Sequence, residues 1–142
     1  LRVAEAALAL NKTNPDSSIR DFRKLTQQAD SRNLKFLSLE SSVDAAEAVI
    51  ARKDYADAER GLQAAMGKSE KLGSRYQSAR IHYLLGEALR LSGNKTDASQ
   101  QYAAALGLMN EMQKDAGAEK LLERSDLKAM FTQATRFATA KD

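Results

Sequence analysis

Few side chains in this chain are of the types that carry catalytic or metal chemistry. His82 is the only histidine and there is no cysteine, so the several His and Cys ligands of a typical zinc site cannot be assembled. Thiolate catalysis and disulfides are excluded for the same reason, and no glycine-rich loop of the phosphate-binding kind is present. We therefore expect no catalytic residue, no metal and no cofactor.

Two carboxylates have to be weighed separately. Glu47 and Glu87 recur at equivalent places of an internal repeat (87 − 47 = 40) and could mimic the paired acids of general acid–base catalysis. Nothing in the sequence around them indicates a site that encloses a substrate. His82 lies on an apolar helical stripe, where a packing role is the simpler interpretation. We predict that the chain is not an enzyme.

Nucleic-acid binding is a second class of function to consider. Arg20, Arg23 and Lys24 cluster on one predicted helix, and the net charge is +3. Acidic residues are interleaved with them, however, and no aromatic platform accompanies them. Phosphate contacts need a coherent basic stripe, so we interpret this cluster as a solvated helix face and do not expect nucleic acid as a partner.

The composition indicates helices and little else. Hydrophobic residues make up 43% of the 142 residues, charged residues 29%, and there is a single proline; alanine is abundant and β-branched residues are sparse, which favours helix. No apolar run reaches the roughly 18 residues of a membrane helix, so we expect no membrane contact. Without disulfides a cytoplasmic location is expected. Because the chain starts without methionine inside a helical pattern, we also expect a C-terminal fragment of a longer protein.

The elements that position these residues repeat with a fixed period. Asn14, Asp54 and Asn94 are evenly spaced (54 − 14 = 94 − 54 = 40), and each can cap the helix that follows it. Each period contains two helical patterns joined by a short break, at Ser92-Gly93-Asn94 in the clearest unit. Such a short link predicts an antiparallel pair of helices, and a fixed period of this size predicts a stack of such pairs.

Small residues recur at matched positions of the helices. Gly86 matches Ala46, and Ala98 matches Ala58, while Tyr102 matches Leu62. Glycine inside a helix costs about 1 kcal/mol relative to alanine, and a close approach between paired helices is a sufficient reason for it. We predict that Tyr102 and Leu62 fill the space beside these small residues.

The sequence resembles the tetratricopeptide repeat family, in a bacterial type whose repeats are longer than the usual ones. Leu85-Gly86, Gly93, Ala98, Tyr102 and Ala105 follow the family signature. The preceding unit keeps Ala58 and Ala65 but has Ala45-Ala46, Lys53 and Leu62 in place of the Leu-Gly pair, the turn glycine and the aromatic residue. The resemblance implies a single all-α domain over 1–142: a right-handed α-solenoid of antiparallel helix pairs, with units at about 1–33, 34–73 and 74–113. Bacterial transcriptional regulators and signalling kinases carry repeat domains that this array resembles.

The resemblance also implies where a partner binds. In the family the first helix of each pair lines the inner groove, where a peptide or helix of a partner protein docks. The residues that fall on this face are Asp44, Glu47, Arg80, Tyr83, Leu84, Glu87 and Arg90. The alternative from the residues alone is a solvated face with ion pairs, each worth about 0–1 kcal/mol.

The C-terminal segment departs from the repeat. Helical patterns over 117–140 predict capping helices, the last one starting after Ser125 and carrying an apolar stripe of Leu127, Met130, Phe131 and Phe137. A solenoid needs such a cap over its last apolar face. The alternatives are a contact with a neighbouring domain and a homodimer formed through this helix, which would make the domain a self-association or spacer module. The principal prediction is a non-enzymatic scaffold that binds a protein or peptide partner.

Overall fold

The computed structural model describes residues 14–115 and 125–139, and within these ranges every regular element is a helix. The six helices are α1 (Pro15–Ser31), α2 (Lys35–Ala51), α3 (Tyr55–Leu72), α4 (Arg75–Leu91), α5 (Lys95–Lys114) and α6 (Ser125–Ala138). The all-α prediction is confirmed for this part of the chain. The helical patterns predicted before Asn14 and over Ala118–Glu123 lie outside the described residues.

The helices recur along the chain with a spacing even more regular than the sequence predicts. The starts of α1 to α5 are Pro15, Lys35, Tyr55, Arg75 and Lys95, so each start follows the previous one by the same interval (35 − 15 = 95 − 75 = 20). A residue with positive φ precedes α2 to α5 at the same interval: Asn33 (58°), Lys53 (69°), Gly73 (66°) and Gly93 (96°). One period of the sequence repeat therefore corresponds to two helix-and-turn units.

The turns after α1, α2 and α4 share one hydrogen-bonding scheme. After α4, the Asn94 amide donates to the Leu89 carbonyl (2.8 Å); Leu34 donates to Ala29 in the same way after α1 (2.8 Å). This bond between the sixth and first residues is the Schellman arrangement, which needs a left-handed residue just past the helix end. Glycine adopts that conformation freely and asparagine tolerates it, so Gly93 and Asn33 suit their positions.

The three predicted capping residues all stand at helix N-termini, but only two form the capping bond. Asn14 accepts a hydrogen bond from the Ser17 amide and Asn94 accepts one from the Asp97 amide. The Asp54 side chain makes no capping bond; its carboxylate instead lies 3.4 Å from the Arg52 guanidinium. The charged neighbour competes successfully with the backbone for this short side chain.

The chain divides between Gly73 and Ser74 into two compact units. In the first unit α2 packs against both α1 and α3, and buried residues recur at the same register of α1 and α3: Ser18, Phe22 and Ala29, and Ala58, Leu62 and Ser69. In the second unit α5 packs against both α4 and α6. Among the described helices, none is both long and apolar enough to cross a membrane.

The predicted apolar stripe of α6 packs inside the second unit. Leu127, Met130 and Ala134 are buried in one cluster with residues of α4 and α5, and Phe131 and Phe137 pack against that cluster while partly exposed. The stripe is thus buried against α4 and α5, and the capping role stays a prediction. The helix begins at Ser125 itself, so this serine occupies its first turn.

Candidate functional site

Glu87, predicted to face a partner, is the centre of a polar cluster inside the second unit. Its carboxylate accepts hydrogen bonds from the Tyr102 hydroxyl (2.7 Å), from Gln133 Nε2 (3.1 Å) and from Arg90 Nη2 (2.9 Å). These donors lie on α5, α6 and α4. The Glu87 side chain is only 13% exposed, so its bonds hold three helices together in the shielded surroundings where charge-assisted hydrogen bonds are strongest.

Arg90, also predicted to face a partner, takes part in the same cluster. Its Nε donates to the Tyr102 hydroxyl oxygen (3.1 Å), and its guanidinium carbon lies 4.2 Å from the centre of the Phe137 ring. Burial opposes the charged form of Arg90, but the bonds to Tyr102 and Glu87 outweigh it and raise the pKa of the guanidinium. Arg90 is therefore a cation, and its charge balances that of the Glu87 carboxylate.

Tyr102 is fully buried at the middle of this cluster. Its ring is stacked on Phe137 (centroids 5.5 Å apart, planes at 30°) and meets the Tyr83 ring edge-on (5.9 Å, 64°). Burial raises the pKa of the Tyr102 hydroxyl well above its ordinary value of about 10, the bond to Glu87 raises it further, and the Arg90 cation only partly opposes them. Tyr102 is therefore a neutral hydrogen-bond donor.

The other predicted residues of α4 differ in accessibility. Leu84 is buried, with only 4% of its surface exposed. Arg80 and Tyr83 are partly exposed, and each makes interactions within the protein. On α4, then, Arg80 and the outer part of Tyr83 are the predicted site residues that a partner can contact without displacing the cluster around Glu87.

The two predicted residues of α2 also differ from each other. Asp44 is buried, with 3% of its surface exposed, whereas Glu47 is partly exposed. Both make interactions within the protein. Asp44 and Leu84 occupy the same position of successive repeats and are buried alike, so the register of the repeat also holds for this pair of side chains.

In the part of the chain that the structure describes, no group of three or more His, Asp and Glu side chains could hold a metal ion. His82 is half-buried, and its Nδ1 lies 2.8 Å from Gln101 Oε1 on α5. His82 thus joins α4 to α5.

A groove that the sequence reasoning missed lies in the first unit, between α1 and α3. Its floor is provided by small apolar residues of α2 and α3, namely Ala45, Ala46, Val49, Gly61, Ala64 and Ala65, and it encloses about 350 Å³. Two further depressions continue it. One of about 400 Å³ shares Arg23 and Gln27 with it, and one of about 310 Å³ shares Lys68. The basic residues of α1 were visible in the sequence, but the small residues opposite them are informative only once the helices are packed.

No protein-family model, curated protein sequence or solved structure matches the chain.

Proposed function

We propose that this chain is a helical-repeat module of the tetratricopeptide type that binds a protein partner and has no catalytic activity of its own. The observation that supports the proposal is the constant interval between the starts of α1 to α5, with left-handed residues before four of them at the same interval. Units of this kind cannot bury their apolar faces alone and are stable by stacking. In this proposal the helices form antiparallel pairs in a right-handed solenoid.

The partner surface in this proposal is the predicted inner face, with a peptide or a helix of another protein as the occupant. Glu47 on α2 and Arg80 on α4 are its best probes because both are partly exposed. Tyr83 and Glu87 are poorer probes, since each also contacts Tyr102 and its removal would disturb the core of the second unit. A regulator or signalling kinase of a bacterium is the proposed type of parent protein.

The experiment is a capture assay with matched variants. The purified chain, a Glu47→Ala/Arg80→Ala variant and an Arg60→Ala/Glu111→Ala control are immobilised, and proteins retained from a cell extract are identified. We expect a protein retained by the wild type and by the control but lost from the Glu47/Arg80 variant. Equal retention by all three forms would move the binding surface elsewhere, and no retained protein at all would count against partner binding.

Self-association through α6 is the second candidate function. Phe131 and Phe137 are the partly exposed large apolar residues of that helix, whereas the rest of the stripe is buried. Sedimentation of Phe131→Asp distinguishes the roles. A wild-type dimer that becomes a folded monomer supports self-association, and a wild-type monomer that the substitution destabilises supports the cap.

A further inference from the structure

The groove of the first unit concentrates the net positive charge of the chain. Its three depressions are lined by seven Lys or Arg residues and three Asp residues: Arg20, Arg23, Lys24, Lys35, Arg52, Lys68 and Lys71, against Asp16, Asp30 and Asp57. This is an excess of four positive charges. The rest of the chain contains the remaining 15 basic and 16 acidic residues of the total of 22 and 19, so the net charge of +3 originates in this groove.

The acidic residues of the groove are already engaged by its own side chains. Asp16 lies 3.1 Å from the Arg52 guanidinium, Asp57 lies 3.2 Å from that of Arg23, and Asp30 accepts a hydrogen bond from Ser38 (2.5 Å). Asp16 and Asp57 are thus already paired with cations of the groove, whereas the bond from the neutral serine leaves the charge of Asp30 in place.

Four of the basic residues lack such compensation. Arg20, Lys24, Lys35 and Lys71 form no salt bridge with any residue in the described ranges, and all four are exposed. These four rim residues stand at the two ends of the groove, Arg20 and Lys24 on α1 at one end and Lys35 and Lys71 at the other, where α2 begins and α3 ends. An anionic ligand about 25 Å long, the length of these helices, would meet positive charge at both ends of the groove.

The floor indicates which class of anion fits. Alanine and valine side chains present apolar carbon at the middle of the groove, and Leu72 does so at one end. Among the described residues that line the three depressions, none is aromatic, and aromatic rings are the usual platform on which proteins stack the bases of single-stranded nucleic acid. A peptide that alternates acidic and apolar side chains satisfies both the floor and the rims.

We propose that this groove binds an acidic amphipathic segment of a partner protein, with its apolar side chains on the alanine floor and its carboxylates on the lysines and arginines of the rims. The site uses none of the residues proposed above for the inner face. Because this proposal depends only on the groove residues, variants at Glu47 and Arg80 test the proposed inner face separately.

The test uses a fluorescent, amidated peptide of about 16 residues made of Glu, Leu and Ala, with Leu at every third or fourth position, long enough to span the groove as a helix. A peptide with Lys in place of Glu and an oligonucleotide of about 20 thymidines are the competing probes. Binding is followed by fluorescence anisotropy at about 50 mM and about 300 mM salt, since screening weakens contacts between exposed charges.

Two triple variants with the same change in net charge separate the groove from the protein's overall charge. Arg20→Glu/Lys24→Glu/Lys35→Glu alters the rims, and Lys53→Glu/Lys95→Glu/Lys128→Glu alters exposed lysines that do not line the groove. Each triple variant changes the net charge from +3 to −3, six units, because three cations become three anions. Thermal unfolding followed by circular dichroism checks that both variants fold.

We expect the Glu peptide to bind, the rim variant to lose at least about tenfold in affinity, and the control variant to change by no more than about twofold. The Lys peptide should not bind. The proposal is overturned by equal losses in the two variants, by no binding of the Glu peptide at roughly 1 mM, or by an oligonucleotide that binds more tightly than the peptide and is the probe lost in the rim variant.

Discussion

Gly86 is the position where a single methyl group most directly tests the packing of the second unit. A Cβ built at this residue lies 2.9 Å from Tyr102 Cε1 and 3.0 Å from Cδ1 and Cζ. Carbon atoms pack best at about 3.5–4.0 Å, so the tyrosine ring would have to move by about half an ångström or more. The Gly86→Ala substitution therefore forces a change at the ring and leaves the helix itself intact.

The Tyr102 ring has little freedom to make that change. Its hydroxyl is bonded to Glu87 and Arg90, and its face is stacked on Phe137. Overpacking of such a site costs about 1–3 kcal/mol, whereas alanine in place of a helical glycine gains about 1 kcal/mol. The net expectation is a loss of about 1 kcal/mol in the free energy of unfolding.

Gly107 supplies the matched control, because it lies in α5 of the same unit and a Cβ built there meets no atom within 4 Å. Gly107→Ala should gain about 1 kcal/mol from helix propensity alone. Urea denaturation followed by far-UV circular dichroism should separate the two variants by about 2 kcal/mol, or about 4–8 °C in melting temperature for a chain of this size. Equal stability of the Gly86→Ala and Gly107→Ala variants would contradict the close approach of α4 and α5.

A double-mutant cycle identifies the cause of the loss. Ala46 and Leu62 occupy the corresponding positions of the preceding repeat, and both are buried. In that repeat, alanine at 46 is larger than the glycine at 86, and leucine at 62 is smaller than the tyrosine at 102. Tyr102→Leu should therefore cost less in the Gly86→Ala background than in the wild type, by about 1 kcal/mol or more. Strict additivity of the two substitutions would refute the explanation.

Three further predictions concern the polar cluster and the turns. Glu87→Ala should lower the free energy of unfolding by about 2–3 kcal/mol in urea denaturation, because it leaves a buried hydroxyl and a guanidinium without their acceptor; a loss below about 1 kcal/mol would contradict the role assigned to the carboxylate. Because the folded-state pKa of Tyr102 is raised, its contribution to stability is present below about pH 10, the ordinary pKa of tyrosine, and is lost as the pH rises towards the folded-state value. Tyr102→Phe should thus remove part of the alkaline loss of stability, and an unchanged slope above about pH 10 would count against this. Lys53→Gly should stabilise the protein by about 1 kcal/mol in the same denaturation assay, because lysine is strained at a φ of 69°; a destabilised variant would show that the lysine side chain contributes more than its strain.

The helices and most of their ends could be predicted from the sequence because their signals are local. Asn14-Pro15 and Asn94 mark the starts of α1 and α5, and Gly73 and Gly93 mark the ends of α3 and α4. A capping amide or a glycine acts on residues within one turn of itself, so its effect can be worked out without the fold.

Where a non-local partner competes, the local signal is insufficient. Lys53 adopts the left-handed conformation that its residue type does not favour, because its turn closes with the same bonds as the glycine turn: the Asp54 amide donates to the Val49 carbonyl (3.2 Å) as the Asn94 amide does to Leu89. α2 and α3 pack against each other across this turn, and we interpret that packing as what offsets the cost of about 1–2 kcal/mol for a left-handed residue with a side chain. The repeat thus predicts the backbone more accurately than the residue type does.

The same distinction explains why the candidate site was only partly predictable. Glu47 and Glu87 share a register, so the repeat places them on equivalent helices, but their surroundings are not equivalent. Leu62 occupies the position that Tyr102 has in the next repeat, and leucine has no hydroxyl to donate. Gln133 and Phe137 lie on α6, which does not belong to the repeat. A repeat preserves where a side chain lies along its helix. The chemical role of that side chain depends on the neighbouring side chains, which differ from one repeat to the next. Glu87 is therefore a structural residue of the second unit, and partner binding is better tested at exposed residues outside its cluster: Glu47 and Arg80 for the inner face, and the basic residues of the groove in the first unit for the acidic segment.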